Sequence, residues 1–203
     1  AGRHALIPWI RPEDVVAAGD VCQSFCIDNG AFSAWKSGKP IKNWVGYYRF
    51  VKEWCRHPAF DFAIIPDVVD GTELDNDMLI TETVNWCGWK DGGGWPAWYM
   101  LAPVWHMHES LDRLERLAHE WQRVCIGSSG QWPNPGTDGW WGRIREAFGV
   151  ICDDSGRPRT KVHGLRMLNP EIFTKLPFAS ADSTNAVRNS SSFSRFGTYQ
   201  PPT

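Results

Sequence analysis

Three aspartates stand where a strand-like apolar run gives way to polar residues. They are Asp28 in Asp28-Asn29-Gly30-Ala31-Phe32-Ser33, Asp67 in Ile65-Pro66-Asp67-Val68-Val69-Asp70, and Asp182 in Ser180-Ala181-Asp182-Ser183-Thr184. Carboxylates gathered from separate strands repel one another unless one is protonated, bound to metal or facing a cationic intermediate. Such a set suits chemistry at a sugar anomeric carbon, where negative charge stabilises an oxocarbenium-like transition state and a second carboxyl group moves protons. Taken alone, Asp182 before Ser-Thr-Asn reads first as a helix N-cap. The recurrence of the same ending along the chain favours a site.

Other polar residues share that position. His106 and His108 follow the run 98–105; two histidines at this spacing are metal-ligand types, but no third ligand is evident, so hydrogen bonding to a substrate is the favoured use and no metal is expected. Gly127-Ser128-Ser129-Gly130 follows another apolar run, where glycine either lets backbone amides approach a ligand or simply makes a turn. His163 lies in a short apolar segment at 161–165. The glycines of Lys90-Asp91-Gly92-Gly93-Gly94 form a flexible loop by composition and lack the Lys-Ser/Thr and helix of a phosphate loop.

The elements needed to place these residues alternate. Strands are expected at 5–8, 21–27, 60–65, 98–105, 123–126, 161–165 and 178–181. Helices are expected at 12–18, stopped by Gly19, then at 42–56, from a Thr72 cap to about 86, at 110–121, 137–148 and 170–175. Seven strand candidates alternating with helices, with polar residues after the strands, predict an α/β protein of the compact (β/α) TIM-type barrel kind whose site lies at the carboxyl ends of its strands. An eighth strand is not obvious. A doubly wound sheet is the competing architecture, without its glycine fingerprint after the first strand. A single catalytic domain over 1–189 is expected, followed by an irregular Ser/Asn-rich tail over 190–203.

The 203 residues carry 21 Lys+Arg against 23 Asp+Glu, so no global basic field marks the chain, although a local basic face is open. The 13 Trp are many for this length. Trp86, Trp89, Trp95, Trp98 and Trp105 can fill a core or stack on bases or sugars, with core packing the first reading. The six cysteines include no CxxC pair and read as reduced, buried thiols, with Cys22 and Cys26 able to share a strand face. The opening run 5–10 is too short and proline-broken for a secretory signal, and no apolar run nears the ~20 residues of a membrane span. A cytoplasmic protein without membrane contact is expected, in the host cytoplasm if phage-encoded.

These residues together resemble a known family. Asp28-Asn29-Gly30-Ala31-Phe32-Ser33 is similar to the Asp-Ser-Gly-Gly-Phe/Tyr-Gln motif of the tRNA-guanine (queuine) transglycosylases, and closer still to the Asp-Ser-Gly-Ala-Phe-Ser form of their phage and bacterial DNA-directed relatives. Ile65-Pro66-Asp67, Pro103-Val104-Trp105-His106, Gly127-Ser128-Ser129-Gly130, Val162-His163-Gly164-Leu165 and Ser180-Ala181-Asp182-Ser183-Thr184 then follow in the family's order, over roughly residues 20 to 190. The resemblance implies that Asp182 is the nucleophile that forms a covalent glycosyl-enzyme, with Ser183 and Thr184 as its supports. Asp28 becomes the general acid/base and Asp67 the acceptor for a purine's Watson–Crick edge. Asn29, Gly30, Phe32, His106, Gly127, Ser128, Ser129, Gly130, His163 and Ser183 become substrate-binding residues.

Two departures favour DNA over tRNA. The three-cysteine, one-histidine zinc site of the tRNA enzymes does not follow Asp182, and of the arginine-bearing segment only Arg188, after Asn185, is in place. The expected activity is exchange of a guanine in DNA, single-stranded or flipped from a duplex, for a free purine or 7-deazapurine base, with no cofactor. The alternatives are a DNA glycosylase on the same scaffold and a non-catalytic barrel that binds nucleotide or nucleic acid through its tryptophans and Arg143, Arg145, Arg157, Arg159 and Lys161. Composition leaves the base and the oligomeric state open.

Overall fold

The computed structural model describes residues 4–88 and 97–183. The glycine loop, Trp89, Trp95, Thr184, Asn185, Arg188 and the tail lie outside the described residues. The elements run β1 (His4–Pro8), α1 (Asp14–Val21), β2 (Ser24–Asp28), α2 (Ala31–Lys36), α3 (Val45–Trp54), β3 (Phe60–Ile64) and α4 (Glu73–Cys87). A 3-10 turn (Trp98–Met100) precedes β4 (Leu101–Ala102) and β5 (Val104–His106), followed by α5 (Leu111–Glu120), β6 (Arg123–Gly127), α6 (Asp138–Ile151), β7 (Lys161–Gly164), α7 (Pro170–Phe173) and β8 (Ser180–Ala181). The protein is α/β, with two four-stranded sheets ordered β1-β2-β3-β4 and β5-β6-β7-β8, every pairing parallel.

Parallel strands need crossovers, and the helices between them supply the apolar cover for one face. The larger core cluster joins strand residues such as Phe25, Ile27, Ala63, Trp105, Val124, Ile126 and Val162 to Val15, Tyr48, Val51, Leu114, Leu117, Ile144 and Ala147 of the helices. A second, smaller cluster lies on the other face and draws on both sheets: Phe62, Ile64 and Ala102 from one, Val104 and Cys125 from the other, with Leu6, Cys26 and Leu165 packed against it. Arg123 of β6 ties the sheets at the starts of their strands. Its guanidinium donates to Asp61 at 3.1 Å and to Ser180 at 3.2 Å, and lies 4.1 Å from the Phe62 ring centre. Only Pro103 separates β4 from β5, and its carbonyl accepts from the Cys125 N–H at 2.8 Å.

Local chemistry explains where several boundaries fall. Thr72 and Asp75 form a reciprocal capping box that starts α4, Ser110 caps α5, and Thr137 caps α6. Elsewhere the expectations need correction. Gly19 does not stop α1, which continues to Val21; its bare Cα makes room for the His57 ring, which would lie 3.1 Å from a Cβ. Val21 therefore ends a helix, and Cys22 is its C-cap rather than a strand neighbour of Cys26. The expected strand at 98–105 is a 3-10 turn and two short strands, because Pro103 has no N–H for a ladder. The short helix α2 is not among the expected helices. All six cysteines are free; Cys55, Cys87 and Cys125 are buried, while Cys22, Cys26 and Cys152 are partly accessible. Among the tryptophans at issue, Trp105 is fully buried and Trp98 is exposed. No described helix is long and apolar enough to cross a membrane.

Candidate functional site

The polar residues singled out by sequence occur at or just beyond strand carboxyl ends. Asp28 ends β2, Asp67 follows β3, His106 ends β5, Gly127 ends β6 and Asp182 with Ser183 follows β8. His163 lies within β7, and Phe32 in the first turn of α2. Gly30 takes a left-handed backbone (φ 76°) as the N-cap of α2, a conformation that glycine adopts without strain.

Asp67 is held from two strands. Its Oδ1 accepts from Asn29 Nδ2 at 2.7 Å, and its Oδ2 meets His106 Nε2 at 2.8 Å. Asn29 is fully committed, since Nδ2 also donates to the Ile65 carbonyl and Oδ1 accepts from the Ala31 N–H. With Nε2 engaged by Asp67, Nδ1 is the remaining polar atom of the His106 ring. That atom is buried and has no hydrogen-bond partner among the described residues. Gly127 faces it, and a Cβ there would come within 3.2 Å of Nδ1, so the missing side chain leaves the histidine's open edge uncovered.

A buried ionic network supports this arrangement from behind. Glu109 accepts the His106 N–H at 2.9 Å, Asn76 Nδ2 at 2.8 Å and Arg113 Nη1 at 2.6 Å; Arg113 Nε also reaches Asp77. His108 clamps two loops, with Nδ1 at 2.9 Å from Ser129 Oγ and Nε2 at 2.9 Å from the Gly71 carbonyl. Ser128 Oγ accepts from Trp140 Nε1. Both serine hydroxyls thus serve the scaffold, and the segment 127–130 presents backbone to the site. His106 and His108 stack rather than converge, and the described residues contain no group of three or more His, Cys, Asp or Glu able to hold a metal.

Asp182 is fixed by the loop after β7. Its N–H donates to the Gly164 carbonyl, its carbonyl accepts from Leu168, and its Oδ1 accepts from the Arg166 N–H at 2.8 Å. His163 Nε2 is buried 3.4 Å from Asp182 Oδ1, while Nδ1 lies 2.8 Å from Ser180 Oγ. Asp28 completes the set. Burial pushes its carboxyl up from the usual range to about 7, with further upward pressure from the charges of Asp182 and Asp67; backbone N–H groups of Gly30 and Asn29 pull the other way. Asp67 and Asp182 therefore both act electrostatically on Asp28, although the three come from different strands and both sheets.

Arg166 is the site residue that sequence reading missed. It is the only described non-glycine residue with positive φ (59°), its guanidinium lies 3.7 Å from the centre of the Phe32 ring, and Nη2 reaches the Ser128 carbonyl at 3.4 Å. Burial lowers its pKa and the Asp182 charge opposes that shift. Nothing in Gly164-Leu165-Arg166 signals this, because both its backbone conformation and its stacking partner are tertiary. Conversely, one arginine of the expected basic face turns inward: Arg143 donates to the Met107 and Glu109 carbonyls and lies over Trp105 and Trp132, whereas Arg145 stays exposed, its Nε donating to the Trp141 carbonyl of its own helix.

No protein-family model matches the chain, and no curated protein matches it.

Proposed function

We propose that the chain is a DNA-directed transglycosylase that exchanges a guanine for a 7-deazaguanine-type base through a covalent aspartyl-glycosyl intermediate. The observation that carries this reading is the placement of Asp28, Asp67 and Asp182 at or just beyond strand carboxyl ends, with Asp182 held by the Arg166 N–H at 2.8 Å; burial and the other two charges push the Asp28 carboxyl up to about 7. A pKa near the working pH suits a group that must both give and take a proton. We read the two sheets as the halves of one (β/α) barrel joined through the collinear β4 and β5, which brings the strand carboxyl ends to a single mouth.

In this mechanism Asp182 attacks C1′ of the target nucleotide, and the C1′–N9 bond breaks as Asp28 delivers its proton to the departing base. The incoming base then gives its ring N–H proton to Asp28, its nitrogen attacks C1′, and the ester to Asp182 breaks. Covalent capture divides one hard displacement into two easier ones. Arg166 orients the nucleophile by occupying Oδ1 through its backbone N–H. Asp67, with two lone-pair positions used by Asn29 and His106, keeps acceptor capacity for the base's N–H donors.

The test is incubation of the full chain with guanine-containing DNA, single-stranded and duplex, and a labelled 7-deazaguanine base, with tRNA as a parallel substrate. Label entering DNA is the expected result. Abasic sites without label would contradict exchange and favour a glycosylase on the same scaffold; label entering tRNA alone would contradict the choice of DNA.

A further inference from the structure

The mouth described above is acidic, yet the substrate proposed for it is a polyanion. A nucleic-acid strand needs cationic and stacking groups beside that mouth to offset repulsion from Asp28, Asp67 and Asp182. The chain between Asp28 and Glu53 supplies them. Residues 29–52 contain no Asp or Glu but carry Lys36, Lys39, Lys42, Arg49 and Lys52, in a protein whose formal charge is -2. Lys36, Lys39, Lys42 and Arg49 are exposed, and no described carboxylate lies in ion-pair contact with them.

A chain of contacts leads from the nucleophile to this segment. The backbone N–H of Arg166 holds Asp182, its guanidinium covers Phe32, and the Phe32 ring packs 5.7 Å from that of Trp35, tilted by 40°. Trp35 is 40% exposed, so part of its indole stays open to a stacking partner. The loop after it is ordered against α2. Gly38, at φ 72°, donates its N–H to the Trp35 carbonyl at 2.9 Å, and Lys39 donates to the Ala34 carbonyl at 3.0 Å. Lys36 and Lys39 thereby flank a tight turn anchored on the backbone of Ala34 and Trp35.

We propose that residues 31–43 are the landing surface for a single-stranded nucleic-acid flank of the target nucleotide, with a base neighbouring the target stacked on Trp35 and the adjoining phosphates on Lys36, Lys39 and Lys42. The proposal rests on the reading of Asp182 as a centre acting on a nucleotide. Charge complementarity selects a polyanion, and the aromatic ladder running out from Asp182 selects one that carries bases over an anionic lipid surface. A stacking face is sequence-tolerant, so this surface contributes affinity and position rather than choice of base.

Fluorescence anisotropy with labelled single-stranded DNA, single-stranded RNA of the same sequence and duplex DNA, together with sedimentation on anionic phospholipid vesicles, tests the proposal on the full chain. The exposed positions make the variants K36A/K39A/K42A and W35A tolerable to the fold. The triple variant is expected to lower the slope of log affinity against log salt by about 2, at roughly 0.7 per phosphate contact. Trp35→Ala is expected to weaken binding about tenfold or more with the slope unchanged. The variant R157A/R159A/K161A, altered at the start of β7 and the turn before it, is expected to keep the full slope. DNA and RNA arms identify which strand is bound, and either supports the surface. An unchanged slope in K36A/K39A/K42A, an equal loss in the control variant, or binding to vesicles without binding to oligonucleotides overturns it. Oligonucleotide binding that follows these lysines without any base exchange would leave the surface standing and refute the transglycosylase reading; exchange with unaltered binding in K36A/K39A/K42A would do the reverse.

Discussion

Asp28 sits where a carboxyl group is least comfortable as an anion, under burial and beside two other carboxylates. Its proton is held more tightly in the native protein than in the unfolded chain. Stability from this group is therefore greatest at low pH, falls as pH rises from about 4 to about 7, and is level above that. Asp28→Asn removes the penalty. At pH 8 the variant is expected to be more stable than the parent by up to about 4 kcal/mol, at 1.36 kcal/mol per pKa unit, with the difference gone near pH 4. Urea unfolding at the two pH values measures this, and a parent protein at least as stable at pH 8 contradicts it. The same proton governs chemistry: base release is expected to decline above about pH 7 as Asp28 loses it, a limb that stopped-flow measurement of the released base would record. Asp28, Asp67, His106 and Asp182 are legible in the sequence because each ends or follows an apolar run. Arg166 is not, since a left-handed arginine over Phe32 exists only once two distant loops have met.

The loops that carry these residues are held by contacts that tolerate little change. Gly130 takes φ 58°, and a Cβ there would stand 2.6 Å from His108 Cβ, in the clamp that joins Ser129 to Gly71. Gly38 shares the left-handed backbone but faces open space. Gly38→Ala is expected to cost about 1–2 kcal/mol from conformation alone, and Gly130→Ala clearly more, because the overlap adds to it. Thermal melts of the two variants give the comparison, and equal losses would show that the His108 contact is slack. Helices with explicit signals are legible: the Thr72–Asp75 box and the Ser110 and Thr137 caps mark their starts directly. The boundary at Gly19 is not, because a helical glycine accommodating His57 depends on a neighbour that sequence spacing does not name; the division at Pro103 is legible, since a proline within an apolar run lacks the N–H that a continuous ladder needs.

Across the whole molecule, neither sheet carries the site alone. Asp28 and Asp67 follow strands of the first sheet, while His106, His163 and Asp182 belong to the second, and the shared inner cluster and Arg123 bind the two together. The alternation of strands and helices makes the α/β class legible, but not the buried Glu109–Arg113 pair, because nothing in the sequence marks either charge as buried. Glu109→Ala leaves Arg113 buried and short of a partner and is expected to cost about 3–5 kcal/mol in denaturant unfolding; a loss below 1 kcal/mol would mean that the network does not brace the fold. In the proposed mechanism Asp182 bonds covalently to a nucleotide sugar. The most direct measurement of that bond is an acid-quenched reaction with a guanine-containing single-stranded oligonucleotide, resolved by denaturing electrophoresis and peptide mass spectrometry. An enzyme–DNA adduct on the peptide bearing Asp182 is expected, lost in Asp182→Asn and converted to modified DNA when a 7-deazaguanine-type base is added. An adduct or base exchange that persists in Asp182→Asn would contradict the mechanism.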